Sequence, residues 1–213
     1  MMPFTLKRSK RARTMRLSVY PDGSVVVTAP NFFGFRVIEE GLSGRTTFAE
    51  NPLLPNRSGL KMLEPLLESH APIDLCILML GTNDVAPYYH LTASDIAGGC
   101  LGLIWAIEKS QAGLNGAAPE ILLIAPPVLG RMSAIMELFY KGGEKAAKAL
   151  AQAYKIIADS SGCHFLDASK YVKTSKVDGV HLDPEAHRVL AMQIKKIVAP
   201  ILRQDAQKSK RRK

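Results

Sequence analysis

The sequence predicts an α/β protein whose sheet is mainly parallel. Short apolar runs, such as Leu75–Leu80 and Glu120–Ala125, alternate with longer amphipathic stretches, and this alternation is typical of βαβ crossovers. Continuous apolar strands indicate a parallel sheet that is covered on both faces. One such domain fits the length, because 213 residues with 47% hydrophobic content can bury a sizeable core.

The first forty residues favour strands that pair through a tight turn, as in a β-hairpin. Residues 15–20 and 24–29 are rich in β-branched and aromatic residues and flank Pro21-Asp22-Gly23, so they predict a β-hairpin. The other predicted strands are Phe35–Glu39, Leu75–Leu80, Glu120–Ala125 and Cys163–Leu166.

Four stretches between and after these strands predict helices. Thr92, with Asp95 three residues on, is the N-cap expected for the second helix, and Asp183 followed by Pro184 opens the last. The predicted helices are Gly59–Ser69, Ala93–Gln111, Met132–Ser160 with a break at Gly142-Gly143, and Pro184–Leu202.

The net charge of +9 comes from the two ends of the chain. Residues 1–16 contain six basic residues and no acid, and residues 203–213 contain six basic residues and one acid, which leaves 16 basic and 18 acidic residues between them. Basic ends can bind nucleic acid, but no aromatic interleaving or nucleic-acid fold signature accompanies them. We therefore expect no specific nucleic-acid partner, and a disordered, solvated tail over residues 203–213.

The cysteines and the apolar runs indicate which cellular compartment and which cofactors to expect. The three cysteines are scattered without metal-ligand spacing, so we expect no metal, no cofactor and a reducing compartment. The longest apolar run is too short to cross a bilayer, and no secretory signal pattern opens the chain. These features predict a cytoplasmic protein with no membrane partner.

Polar fragments follow the predicted strands, where functional groups gather in α/β sheets. Gly44 and Asn83 come after the strands at Phe35–Glu39 and Leu75–Leu80, while Asp178 and His181 stand before the last helix. Acyl transfer needs a base, a group that orients it, and donors to the oxyanion. His181, Asp178, Asn83 and the Gly44 N–H could supply these roles. Each fragment alone is equally typical of polar surface or a capping turn.

Taken together, the fragments EEGLSGRTT, MLGTND and DGVHLDPEAH resemble blocks two, three and five of SGNH (GDSL-type) hydrolases. Residues 35–202 are similar to the branch of bacterial arylesterases and acyltransferases. The resemblance implies a flavodoxin-like three-layer α/β/α fold and metal-free hydrolysis of small carboxylic esters through an acyl-enzyme, with acyl transfer to alcohols. It places Gly44 and Asn83 in the oxyanion hole, and Asp178 and His181 in the catalytic machinery.

The family's first block, a Gly-Asp-Ser that carries the nucleophile, is absent from the sequence. Ser24, in the predicted hairpin turn, and Ser43, beside the oxyanion glycine, are weak candidates to replace it. Structural roles suit both better, so the nucleophile stays unassigned.

Residues 1–30 resemble instead the opening strands of zincin-like metal-dependent hydrolases, although no His-Glu-x-x-His follows. We therefore divide the chain into a basic N-terminal hairpin segment (1–34), an N-terminally incomplete SGNH domain (35–202) and the tail (203–213). The hairpin is expected to replace the missing first strand, loosely and at an edge, because residues 1–16 are too charged to be buried. The domain would then be prone to associate, and a homo-oligomer is one outcome.

Two functions follow. The first is an esterase-like hydrolase impaired by loss of its nucleophile block. The alternative is a non-catalytic protein that keeps the fold to bind esters or carbohydrates.

Overall fold

The computed structural model describes the backbone of residues 4–8, 16–19, 25–28, 35–52 and 54–211, and side chains within 36–52 and 54–202. The strands are β1 (Phe4–Arg8), β2 (Arg16–Val19), β3 (Val25–Thr28), β4 (Phe35–Glu39), β5 (Leu75–Leu78), β6 (Glu120–Ala125) and β7 (His164–Asp167). The α-helices are α1 (Gly59–His70), α2 (Ala93–Lys109), α3 (Ala134–Tyr140), α4 (Glu144–Ser161) and α5 (Pro184–Arg211). Short 3₁₀ turns lie at Pro87–Tyr89, Leu114–Gly116 and Ala168–Lys170.

The main sheet has the order β4-β1-β5-β6-β7. Strands β5, β6 and β7 are parallel, whereas β1 is antiparallel to both β4 and β5. Four strands therefore point the same way, and their carboxyl ends share one edge of the sheet. This confirms the mainly parallel sheet that the apolar runs predicted.

The strand that fills the first-strand position differs from the one we expected. The hairpin β2–β3 forms as predicted, but as a separate two-stranded sheet. Phe4–Arg8 lies between β4 and β5 instead, with Phe4 opposite both Glu39 and Ile77. The expectation that residues 1–16 stay out of the sheet was wrong, because a five-residue extended segment suffices to satisfy the backbone groups of both neighbours. Residues 9–15, which hold three of the six basic residues, lie outside the described residues.

Apolar side chains cover the sheet on both faces. On one face, residues of α1, α2 and α4, such as Leu67, Ile104 and Leu150, pack with alternate strand residues into one cluster. On the other, Leu190 and Val198 of α5 pack over the remaining strand residues. This gives the three layers of an α/β/α fold.

Helix boundaries follow local chemistry, with one difference from the sequence prediction. Thr92 and Asp95 form the expected capping box at the start of α2. The predicted Met132–Ser160 stretch breaks at Gly142-Gly143 as expected and forms two helices, because Gly142 adopts φ +103° and the chain turns there. α5 continues to Arg211, so the disordered tail predicted for residues 203–213 was wrong over residues 203–211. Within the described residues, no helix has the length and apolar character needed to cross a membrane.

Candidate active site

The fragments singled out in the sequence lie after strands that share one edge. Gly44 follows β4, Asn83 follows β5, and Asp178 and His181 lie between β7 and α5. Since β4, β5 and β7 point the same way, the topology brings these segments to the carboxyl edge of the sheet.

Asp178 and His181 form a hydrogen-bonded pair. The Nδ1 atom of His181 lies 2.7 Å from Oδ2 of Asp178. The other carboxylate oxygen accepts the backbone N–H groups of Val180 at 2.8 Å and His181 at 2.9 Å. The expected contact between the two side chains is therefore present, and the carboxylate is anchored independently of the ring.

The electrostatics of this pair favour a carboxylate beside an imidazole. Partial burial opposes ionisation of Asp178, but the Val180 N–H and His181 donors outweigh it and lower the pKa of Asp178. His181 keeps 54% of its side chain exposed, and among the described residues its Nε2 meets no hydrogen-bond partner. That nitrogen is open to accept a proton from a group in the cleft, as a general base must.

The loop that carries the pair is fixed by its backbone. Ser175 N donates to His181 O at 2.7 Å, and Gly179 N donates to Ser175 O at 2.8 Å. Gly179 adopts φ +79°, and a Cβ there would lie 2.4 Å from the carbonyl oxygen of Arg131. Only glycine fits this position, which explains the glycine between Asp178 and His181.

Asn83 is held with its amide in one orientation. Its Nδ2 donates to Arg45 O at 2.8 Å, and its Oδ1 accepts the hydroxyl of Tyr140 at 2.9 Å. The second hydrogen of Nδ2 is left for another acceptor. Arg45 adjoins Gly44 in the chain, so this bond ties Asn83 to the loop that carries the other proposed oxyanion donor.

The loop behind these donors is anchored by a buried carboxylate. Asp84 is fully buried, and its Oδ1 accepts the backbone N–H of Thr47 at 2.8 Å as well as the Thr47 hydroxyl. Burial raises the pKa of Asp84 despite these donors. Its Oδ2 is buried without a partner among the described residues. Asp84 therefore ties the block-two loop to the β5 loop, and it fixes Gly44 relative to Asn83.

Tyr140 is a residue of the site that sequence reasoning missed. It ends α3, whose N-cap residue Ser133 donates its backbone N–H to Asp178 O at 3.1 Å. One short helix therefore connects Asp178 to Asn83. No sequence pattern indicated that Tyr140 has a partner 57 residues away.

Neither serine candidate is shown as a nucleophile. Ser24 lies outside the described residues. Ser43 is exposed in the turn before Gly44, and the described residues show no hydrogen bond between it and His181. Strand β1 runs opposite to both of its neighbours, so its carboxyl end, Arg8, lies at the sheet edge away from the site.

The model of the GDSL-like Lipase/Acylhydrolase family matches residues 24–189. The chain belongs to this family.

Several solved structures resemble this GDSL-like protein. The aryl esterase of M. smegmatis is 36% identical, with a TM-score of 0.74 over 77% of this chain and 78% of that one. Est24, a carbohydrate acetylesterase from Sinorhizobium meliloti, is 38% identical with a TM-score of 0.74 over the same shares. Another Sinorhizobium meliloti carbohydrate acetylesterase family member is 34% identical with a TM-score of 0.72, over 78% of this chain and 79% of its own. Among curated proteins, none matches the chain.

The protein also has a cavity of about 470 Å³ beside the segment that precedes Asp178. Its wall is built from residues 128–131, Ser169 and residues 172–176, and the four proposed site residues are not part of it. No role in ester binding follows from this cavity.

Proposed function

We propose that this member of the GDSL-like family acts on small carboxylic esters with the base and oxyanion donors of an ester hydrolase, and that its turnover is impaired because the nucleophile block is missing. The observation that carries the proposal is the coexistence of an oriented His181–Asp178 pair with an oriented Asn83 amide, and no serine partner for His181 in the described part of the chain. The acetylesterases among the similar structures support acetyl esters as the first substrates to try.

In this proposal Asp178 holds the His181 ring and stabilises its protonated form. The N–H of Gly44 and the free hydrogen of Asn83 Nδ2 would receive the oxygen that gains charge when an ester carbonyl is attacked. Tyr140 fixes which end of the Asn83 amide faces the substrate. Donors of this type are usually worth about 3–4 kcal/mol each to the transition state.

The test is the hydrolysis of p-nitrophenyl acetate by the full chain. A site with base and donors but no nucleophile keeps only residual catalysis, roughly 10³–10⁴-fold over water. We expect slow turnover without a burst, reduced further by His181→Ala. The control is His164→Ala, because His164 is also exposed but lies at the other end of the sheet, 3.5 Å from Glu120. A rapid burst that His181→Ala abolishes would show a working nucleophile and contradict the impairment.

The second candidate is a non-catalytic protein that binds esters or acetylated carbohydrates. It is favoured by the same orphaned donors, which can hold a carbonyl oxygen without any chemistry. Titration calorimetry with an acetylated xylo-oligosaccharide and with its deacetylated form separates the candidates. Acetyl-dependent binding that Asn83→Ala weakens, with no turnover, supports the binder; absence of saturable binding by either sugar rules it out.

A further inference from the structure

Arg45 is a buried cation, and some of its hydrogen-bond donors are unpaired among the described residues. Its side chain is 5% exposed, and neither Nε nor Nη1 has a partner among the described residues. Burial lowers the pKa of this guanidinium. A guanidinium carries five N–H donors, and leaving them unpaired away from water is costly. Such a group indicates that something binds there which the described residues do not supply.

Arg57 lies directly beside it. Thr46 and Ser58 form a parallel bridge, with Thr46 N donating to Arg57 O at 3.0 Å, so the preceding residues Arg45 and Arg57 are side by side. The Nε of Arg57 is also buried without a partner, while its Nη1 donates to the carbonyl of Pro55 at 2.7 Å. Two like charges in adjacent positions destabilise a strand pair unless an anion lies near both.

The described residues provide no carboxylate that pairs with either arginine. None of the ion pairs among them joins Arg45 or Arg57 to an acid. The charge of Glu40 acts on Arg45 from a distance, but its Oε1 lies 2.5 Å from Nε2 of His70 and is engaged there. The two guanidinium groups therefore keep free hydrogen-bond donors.

The arginine pair borders the proposed oxyanion donors. The Nε and Cδ atoms of Arg57 lie 3.7 and 3.8 Å from the position that a Cβ on Gly44 would take. The carbonyl of Arg45 accepts the amide of Asn83. A ligand held by the two guanidinium groups would thus contact the same corner of the cleft as an ester carbonyl.

We propose that Arg45 and Arg57 form a binding site for a carboxylate group beside Gly44 and Asn83. Guanidinium forks match the planar, two-oxygen geometry of a carboxylate. The choice of carboxylate rests on the proposed function, because ester hydrolysis releases one at these donors. The carboxylate could be that of the released acid, or one at the far end of the acyl group of a dicarboxylate half-ester.

The test is a titration of the full chain by calorimetry and thermal melting. The probes are acetate for the released acid, monomethyl succinate for a half-ester, and neutral dimethyl succinate as the uncharged control. We expect saturable binding and a higher Tm with a carboxylate, and at least tenfold weaker binding of the diester. Arg57→Gln and Arg45→Met should each weaken binding at least tenfold. Lys61→Gln, which removes an exposed cation near the same helix start, should leave it within twofold.

The pattern of results separates the sources. Equal affinity for acetate and monomethyl succinate assigns the site to the released acid, and binding of monomethyl succinate alone assigns it to the acyl chain. The proposal is overturned by no saturable carboxylate binding, by phosphate binding as tightly as the carboxylates, or by undiminished binding in Arg57→Gln. Should Arg45→Met lose its circular dichroism signal, the less buried Arg57 variant decides alone.

The failure of this inference is separable from failure of the proposed function. His181→Ala should bind the carboxylate as the parent does, whatever its turnover. Loss of binding in His181→Ala with retention in Arg57→Gln would place the carboxylate on the histidine and overturn the arginine site.

Discussion

Gly98 and Gly99 are adjacent on α2 but face opposite surroundings, which makes them a matched pair for testing how the site is held together. A Cβ on Gly98 would meet nothing within 4 Å. A Cβ on Gly99 would lie 2.5 Å from both Cδ1 of Phe48 and Oγ1 of Thr47. Gly99 therefore lets α2 approach the loop that carries Thr47, the residue that binds the buried Asp84.

The two alanine substitutions should change stability in opposite directions. In an exposed helix position Gly98→Ala gains about 0.5–1 kcal/mol of helix propensity. Gly99→Ala has the same gain, but overpacking typically costs about 1–3 kcal/mol. Displacement of Thr47 from the Asp84 carboxylate costs roughly 1.5–3 kcal/mol more. The net for Gly99→Ala is a loss of about 2–5 kcal/mol.

Thermal melting at neutral pH measures the difference. At roughly 2–4 °C per kcal/mol for a chain of this size, Gly98→Ala should raise Tm by about 1–4 °C, and Gly99→Ala should lower it by about 4 °C or more. Equal Tm values for the two variants would mean that α2 does not pack closely against the loop that carries Thr47.

Three further outcomes follow from the polar groups of the site. Asp84→Asn should melt no lower than the parent at pH 7. Burial raises the pKa of Asp84, so the contribution of this carboxyl group to stability falls as pH rises above about 3.9, and an amide oxygen can still accept from Thr47. A lower Tm for the variant would contradict this. Burial lowers the pKa of the half-buried His187, so the contribution of its neutral ring to stability is present above pH ~6.5 and is lost as pH falls below that value. His187→Gln should therefore make Tm depend less on pH between pH 7.5 and 5.5. An unchanged slope of Tm against pH would exclude this contribution. Tyr140→Phe should free the Asn83 amide, which amide nuclear magnetic resonance would register as a shifted and broadened Nδ2 signal, whereas the exposed Tyr88→Phe should leave that signal alone.

Much of the fold could be predicted because its signals are local. Leu75–Leu78 and Glu120–Ala125 are apolar runs buried on both faces of the sheet, and the capping box of α2 is written in Thr92 and Asp95. Phe4–Arg8 was missed because its composition is mixed, and a strand in this position is specified by the open edges of β4 and β5. A position that is defined by the neighbouring strands imposes no recognisable pattern on the sequence of the segment that occupies it.

In the candidate site, too, contacts between residues close in sequence could be predicted and contacts between distant residues could not. Asp178 and His181 are three residues apart, so their contact could be expected from the sequence, and the glycine between them indicated a tight loop. The bonds from Tyr140 to Asn83 and from Thr47 to Asp84 join residues 57 and 37 positions apart. Only the packing of α3 and the block-two loop against the β5 loop brings those groups together.

We infer that His181 and the proposed oxyanion donors are in place without a nucleophile. Treatment of the full chain with a fluorophosphonate, followed by intact-mass measurement, tests this inference, because the reagent reacts readily with a serine that a neighbouring base activates. We expect no stoichiometric adduct on the protein, in the parent and in His181→Ala alike. A single adduct per chain that His181→Ala prevents, mapped to Ser24, Ser43 or another serine, would contradict it.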